Sequence, residues 1–291
     1  TGLITDLTVT PPGPGVRGYR SYLELDGNNK AHIVWQERIS DSPFEYKLFY
    51  YNGATGITTE ISGIPGSGGD ALSQYGYQVR MELGSDSKAH IAYITYSGSA
   101  REGNVYYYNE ANNAAVDITT LGGGGYIAYA SYNIYEHIVL EIDGINHAHL
   151  TFQQRTPTFN VDGFYYTGDA VTNSVINLSA LAGTPANFTF HDATSQIEIN
   201  PATNKAHFAW GEGLYDQNEH IYYYNGDTSS VTDLSALPGG FNDRLYNIAG
   251  ELTRPLVGMG SNGDFHIFWH QAPQTAETSG DVFYYDSSNG L

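Results

Sequence analysis

His32-Ile33-Val34-Trp35, followed by Tyr50-Tyr51-Asn52, is the text on which the fold turns, because the chain repeats it. It returns as His90-Ile91-Ala92-Tyr93 with Tyr107-Tyr108-Asn109, and as His149-Leu150-Thr151-Phe152 with Tyr165-Tyr166-Thr167. It returns again as His207-Phe208-Ala209-Trp210 with Tyr223-Tyr224-Asn225, and as His266-Ile267-Phe268-Trp269 with Tyr284-Tyr285-Asp286. The histidines are 58, 59, 58 and 59 residues apart. Self-similarity at a fixed period means that one supersecondary unit has been copied. Five copies across 291 residues leave no room for an independent second domain, so a single domain over 1–291 is expected.

Within the first copy, Tyr22 to Asp26 alternates and ends in the turn sequence Asp26-Gly27-Asn28-Asn29. Ala31 to Gln36 reads as a second strand, Glu37 to Glu45 as a variable loop, and Tyr46 to Tyr51 as a third strand. Asn52-Gly53 then turns into a fourth, Ile57 to Ser62. No copy shows a helical period. Four short antiparallel strands per copy, repeated radially, describe a β-propeller blade. The fold class expected is therefore all-β, a five-bladed propeller with blades near 19–62, 77–119, 136–179, 194–235 and 254–291. The fourth strand carries its own text, Glu60-Ile61-Ser62, Asp117-Ile118-Thr119, Asn177-Leu178-Ser179 and Asp233-Leu234-Ser235, which the fifth copy lacks. Asp6-Leu7-Thr8 reads like it, so residues 2–8 are expected to complete the last blade beside Val282 to Asp286 and close the ring.

Composition supports the class. Twenty-five tyrosines and 34 glycines suit half-buried pleated surfaces and many turns. A formal charge of −19, without a Lys/Arg cluster, argues against nucleic acid and against an anionic membrane surface. It favours a neutral ligand such as a glycan. The absence of cysteine removes disulfides and thiolate chemistry, and no apolar run reaches the roughly 18 residues of a membrane span. Asn177-Leu178-Ser179 and Asn187-Phe188-Thr189 match the glycosylation acceptor pattern. Together with a first residue that is not methionine, they lead us to expect an extracellular or cell-surface setting.

A glutamate accompanies four of the histidines: Glu24, Glu82 and Glu141 stand eight residues before them, and Glu198 nine before His207. If the first turn closes symmetrically, each glutamate faces its histidine across an antiparallel pair. A Glu–His bridge that favours the protonated imidazole is then expected, and the histidines become internal fastenings. The fifth copy breaks the pattern, with Gly258 at the glutamate position and His270 directly after Trp269. Ligand contact is expected instead from residues that end the second strand: Trp35, Gln36, Arg38, Gln154, Arg155, Trp210, Glu212, Trp269 and His270. Aromatic faces stack on a pyranose while planar amides, carboxylates and guanidinium groups take its hydroxyls. The competing reading packs these aromatics between blades. No spacing singles out a catalytic pair of carboxylates, and no turn has the density of a calcium loop. No catalytic residue, metal site or cofactor is therefore expected.

The His-apolar-Trp/Tyr strand followed by a Tyr-Tyr strand resembles the repeat of extracellular bacterial propellers of the sialidase/neuraminidase type. It lacks the Ser-x-Asp-x-Gly-x-x-Trp box of true sialidases. The even five-copy pattern is also similar to propeller lectins of the tachylectin type, which implies sugar binding at near-equivalent sites. The leading expectation is a non-catalytic, lectin-like propeller. A polysaccharide lyase or glycoside hydrolase is the alternative, and a structural or adhesive module that self-associates or joins a larger surface assembly is the third.

Overall fold

A computed structural model describes residues 7, 17–41, 44–68, 79–97, 102–122, 138–155, 161–184, 189–192, 196–214, 217–238, 255–271 and 281–288. The first sheet consists of β1 (Arg17–Leu25), β2 (Ala31–Asp41), β3 (Phe44–Asn52) and β4 (Ile57–Glu60), in that spatial order. The second has β5 (Val79–Leu83), β6 (Ala89–Ser97), β7 (Glu102–Asn109) and β8 (Ala114–Asp117), followed by one helical turn, α1 (Ile118–Leu121). The third has β9 (Ile138–Ile142), β10 (Ala148–Arg155), β11 (Val161–Gly168) and β12 (Asn173–Asn177), followed by α2 (Leu178–Ala182). In the fourth, β13 (Thr189–Asp192) and β14 (Glu198–Asn200) share one lane along β15 (Lys205–Leu214), with β16 (Gln217–Asn225) and β17 (Ser230–Asp233) beyond it. The fifth holds three strands, β18 (Leu256–Met259), β19 (Phe265–Gln271) and β20 (Asp281–Asp286). The closing strand expected at 2–8 lies outside the described residues, apart from Leu7.

The protein is thus all-β, with five antiparallel sheets, one per sequence repeat. The chain divides into two compact units, Thr1–Tyr135 with Gly168–Asn173, and Glu136–Thr167 with Ser174–Leu291. Two expectations change locally. The reading of Glu37 to Glu45 as a loop gives way to a longer hairpin: β2 runs to Asp41 and β3 starts at Phe44, with a register shift between Arg38 and Ser40 absorbing the irregularity. The segments after the fourth strands of the second and third sheets are single helical turns, capped by the Asp117 and Asn177 side chains. Four or five residues are too few to display a period, but Asp and Asn are preferred N-caps.

The first turn of every sheet places one residue at positive φ: Asn29, Ser87, Asn146 and Asn204 at 55–65°, and Gly263 at 86°. The fourth-strand text has a uniform structural role. Ile61, Ile118, Leu178 and Leu234 are 0% exposed. The hydroxyl after each accepts from a third-strand N–H, that of Leu48, Val105, Gly163 or Ile221. The residue before each pairs with the third strand through Lys–Glu, Asn–Asp (twice, with the roles exchanged) or His–Asp contacts. Lys47 bonds Glu60 (2.8 Å), Asn104 bonds Asp117 (2.7 Å), Asn177 bonds Asp162 (2.9 Å) and His220 bonds Asp233 (2.8 Å).

Side chains alternate between the two faces of each sheet, and the core lies where faces meet. In the first unit, Val34, Leu48 and Tyr50 pack with Met81, Ile91 and Tyr93 of the next sheet. In the second unit, Tyr165 packs with Ile197, Phe208 and Trp210, and Ala209 and Tyr223 pack with Val257, Ile267 and Trp269.

Candidate functional site

The backbone register is the one expected: Glu24 faces His32, Glu82 faces His90, Glu141 faces His149, Glu198 faces His207, and Gly258 faces His266. The expected Glu–His bridge is replaced by another partner. Each histidine Nδ1 meets the hydroxyl of a tyrosine on the third strand: Tyr50 (2.6 Å), Tyr107 (2.5 Å), Tyr165 (2.5 Å), Tyr223 (2.8 Å) and Tyr284 (2.6 Å). The geometry follows from the pleat. His32 is paired with Asn52, and Tyr50, two residues back, lies on the same face, so its ring reaches diagonally to the imidazole. Glu24 turns to the neighbouring sheet instead, where its carboxylate accepts from Leu83 N at 3.2 Å. Burial raises the Glu24 pKa, against the pull of that N–H.

In three of the sheets the second ring nitrogen faces an aspartate from a turn. His149 Nε2 lies 3.2 Å from Asp143 Oδ2 and His207 Nε2 lies 3.3 Å from Asp227 Oδ2, while in the first sheet Asp26 is 3.8 Å from His32 Nε2. Burial opposes ionisation of Asp143, but hydrogen bonds from His149 and from the His147 and Ile145 N–H groups hold its carboxyl below the usual range. For His207 the charged form loses. Burial pushes its pKa down to about 4 although Asp227 pulls the other way, so the ring is neutral at pH 7. Nε2 faces the Asp227 carboxylate at 3.3 Å without a well-formed hydrogen bond; with the ring proton on that side, Nδ1 accepts from the Tyr223 hydroxyl. In the first unit the hydroxyl proton runs in the opposite sense. Tyr50 donates to Glu110 Oε2 (2.9 Å), so His32 donates to Tyr50 from Nδ1.

Glu110 gathers three donors in the first unit, the Tyr50 hydroxyl, Asn52 Nδ2 (2.7 Å) and Ala89 N (2.9 Å). It thereby ties the third strand of one sheet to the second strand of the next. Burial opposes its charge, but these hydrogen bonds and Lys88 leave its pKa below the ordinary value. Nothing in the repeat marks this residue from sequence, because the corresponding position in two other copies is Gly53 or Gly226.

The residues expected to contact a ligand fall into two groups. Trp35, Trp210 and Trp269 are buried, with rings stacked on Phe49 (5.6 Å), Tyr222 (5.5 Å) and Phe283 (5.5 Å). Trp35 Nε1 donates to Glu37 and Trp210 Nε1 to Glu212 (3.2 Å), two residues along on the same face. Glu212 is 1% exposed and also accepts from Thr184 Oγ1 at 2.9 Å. Burial raises its pKa, against hydrogen bonds from Ser179, Thr184 and Trp210. Gln36 and Gln154 form the second group. Both are buried, and among the described residues neither Oε1 has a hydrogen-bond donor. Arg38 follows Gln36 on the same face and is partly buried. Arg155 ends β10 and His270 is the penultimate residue of β19, and their side chains lie outside the description. No group of three or more His, Asp or Glu among the described residues is placed to hold a metal ion. The acceptor amide of Asn177 is engaged internally, donating to Asp162 and capping α2.

No family model and no curated protein matches the chain. Solved structures do. The β-propeller domain of the Trilobed protease from Pyrococcus furiosus is 9% identical over 93% of this chain and 71% of that one, with a TM-score of 0.41. The polysaccharide lyase Uly1 is 11% identical over 91% and 68%, with a TM-score of 0.42. A prolyl endopeptidase is 9% identical over 95% of this chain and 35% of its own, with a TM-score of 0.45. At these identities and TM-scores the likenesses carry no argument about fold or function.

Proposed function

We propose that this protein is a non-catalytic binding module for neutral polyhydroxylated ligands, glycans foremost, acting outside the cell or at its surface. The observation that carries the reading is the unpartnered amide oxygen of Gln36 and, at the end of another second strand, of Gln154. A buried acceptor without a donor costs about 1–3 kcal/mol, a penalty that a ligand hydroxyl removes on binding. Glu37 and Glu212, by contrast, are occupied by Trp35 and Trp210, which assigns them to support of the strand ends. The net charge of −19 disfavours uronates and sulfated chains as ligands.

The test is titration calorimetry against neutral oligosaccharides chosen from a glycan array, with Gln36→Leu and Gln154→Leu alongside the parent. Replacing an unsatisfied buried amide by an apolar side chain of similar size is expected to leave Tm unchanged or raised while weakening binding about tenfold or more. Absence of binding to every neutral glycan at about millimolar concentration, a bare affinity of about 4 kcal/mol, would remove the reading. Cleavage of a bound glycan would replace it with the enzymatic one.

A further inference from the structure

The two oxygens of Glu110 are used differently. Oε2 accepts from the Tyr50 hydroxyl and from Ala89 N, both at 2.9 Å. Oε1 faces two nitrogens, Asn52 Nδ2 at 2.7 Å and Lys88 Nζ at 3.6 Å. A primary amine and a carboxamide thus meet on one carboxylate oxygen, all three residues lying in the first compact unit. The carbonyl of the buried Asn52 amide is held as well. Its Oδ1 accepts from Ala54 N at 2.9 Å and from Thr55 N at 3.1 Å. Two backbone N–H groups therefore sit where negative charge would develop if Cγ were attacked. The nucleophile that an Asn-Gly sequence carries within itself, the N of the glycine, is engaged elsewhere: Gly53 N donates to Ala31 O at 2.8 Å. The trio is particular to this place. No other copy of the repeat has an acid at the position of Glu110, and Asn109, the counterpart of Asn52, donates to Asp169 O instead.

We propose that Lys88, Asn52 and Glu110 form a self-modification site, at which Lys88 Nζ attacks Asn52 Cγ and an isopeptide bond joins the first sheet to the second. The free amine is the nucleophile. The Nζ–Cγ bond forms, the Cγ–Nδ2 bond breaks, and the side-chain nitrogen of Asn52 leaves as ammonia. Glu110 takes the proton from Nζ and returns it to Nδ2, the two nitrogens that Oε1 already faces, and ends as the carboxylate it was. The Ala54 and Thr55 N–H groups hold the tetrahedral oxyanion. The step needs no oxidant or reductant. Gathering amine and amide on one carboxylate makes an otherwise slow aminolysis intramolecular. The Lys88 side chain is 41% exposed, so the ammonia has a route to solvent. In a chain without cysteine, the bond supplies the covalent tie between distant residues that a disulfide cannot.

Intact mass spectrometry of the whole protein, held in mildly alkaline buffer until its mass is constant, tests the proposal. The product is expected to be lighter than the sequence by one ammonia. Trypsin should then leave the acylated Lys88 uncut and release Leu48–Arg80 joined to Met81–Arg101. Lys88→Arg and Glu110→Gln are each expected to restore the full mass, Lys88→Arg with an unchanged circular dichroism spectrum. The cross-linked parent should melt about 5 °C or more above Lys88→Arg. A parent that keeps the full mass, or that grows heavier as Asn52 becomes aspartate, overturns the proposal. So does a loss of ammonia that persists in Lys88→Arg, which would mark cyclisation of an asparagine onto its own backbone.

Discussion

Acidification should destabilise this protein partly through His207, in a window that the structure defines. The ring is 0% exposed, stacks on Phe265 at a centroid distance of 3.6 Å, is hydrogen-bonded to Tyr223, and lies 3.3 Å from Asp227. Burial lowers its pKa from 6.5 to about 4, so the unfolded chain binds a proton at a higher pH than the folded one. Because the unfolded state then holds more protons between those values, stability rises with pH across the window. The contribution is complete above the unfolded value and is lost as pH falls to the folded one. At about 1.4 kcal/mol per pH unit the shift corresponds to roughly 3.5 kcal/mol as an upper bound. Asp227 pulls the other way but is a third exposed and screened, so it does not cancel the burial effect, and at least about 2 kcal/mol is expected. Urea unfolding of the parent and of His207→Gln at several pH values between about 7 and 4 measures it. The parent should lose about 2 kcal/mol more than the variant over that range. Parallel curves, or a His207 proton resonance that titrates near the ordinary histidine value, would refute the reasoning.

Glu110→Ala removes the acceptor of three donors and should cost about 2–4 kcal/mol in chemical unfolding, with Glu110→Gln costing less because shape and part of the bonding survive. The depressed Glu110 pKa adds a contribution present above the unfolded carboxylate value and lost as pH falls through the folded one, so the Glu110→Ala penalty should shrink in acid. Gly53→Ala should lower stability by about 1–3 kcal/mol, because a Cβ there would lie 2.3 Å from the Ala31 carbonyl oxygen that accepts the Gly53 N–H. Gly27→Ala, where a Cβ meets nothing within 4 Å, should stay within about 0.5 kcal/mol of the parent in the same assay.

Much of the fold was legible because side-chain direction in a strand has a period of two. Once His32 and Tyr50-Tyr51-Asn52 are placed on neighbouring strands, the pairing of Glu24 with His32 follows, and the structure has it in four sheets. The lengthened Pro201-Ala202-Thr203 turn is absorbed without loss of that register. What the histidine binds was not legible. Opposition across a pair suggests the nearest charged group, whereas a tyrosine two residues away reaches further with a longer, rigid ring. The protonation expected of these histidines failed for His207 because burial, which sequence does not measure, outweighs the aspartate beside it. Glu110 was invisible for another reason, since it stands where two other copies carry glycine and two of its three partners come from a different copy. At the candidate site, Trp35, Trp210 and Trp269 were read alongside Gln36 and Gln154 as one contact group. Burial separates them, with the indoles packed on neighbouring rings and the amide oxygens left without donors.

The fivefold histidine fastens each sheet through its tyrosine, and a double-mutant cycle at His149 and Tyr165 tests this most directly. Both rings are buried, and the pair is joined at 2.5 Å within the third sheet. With His149→Gln, Tyr165→Phe and the double variant measured by urea unfolding, a coupling of about 1–2 kcal/mol is expected. Additivity within about 0.3 kcal/mol would contradict the account, because the two side chains would then contribute independently and the repeat would need another explanation.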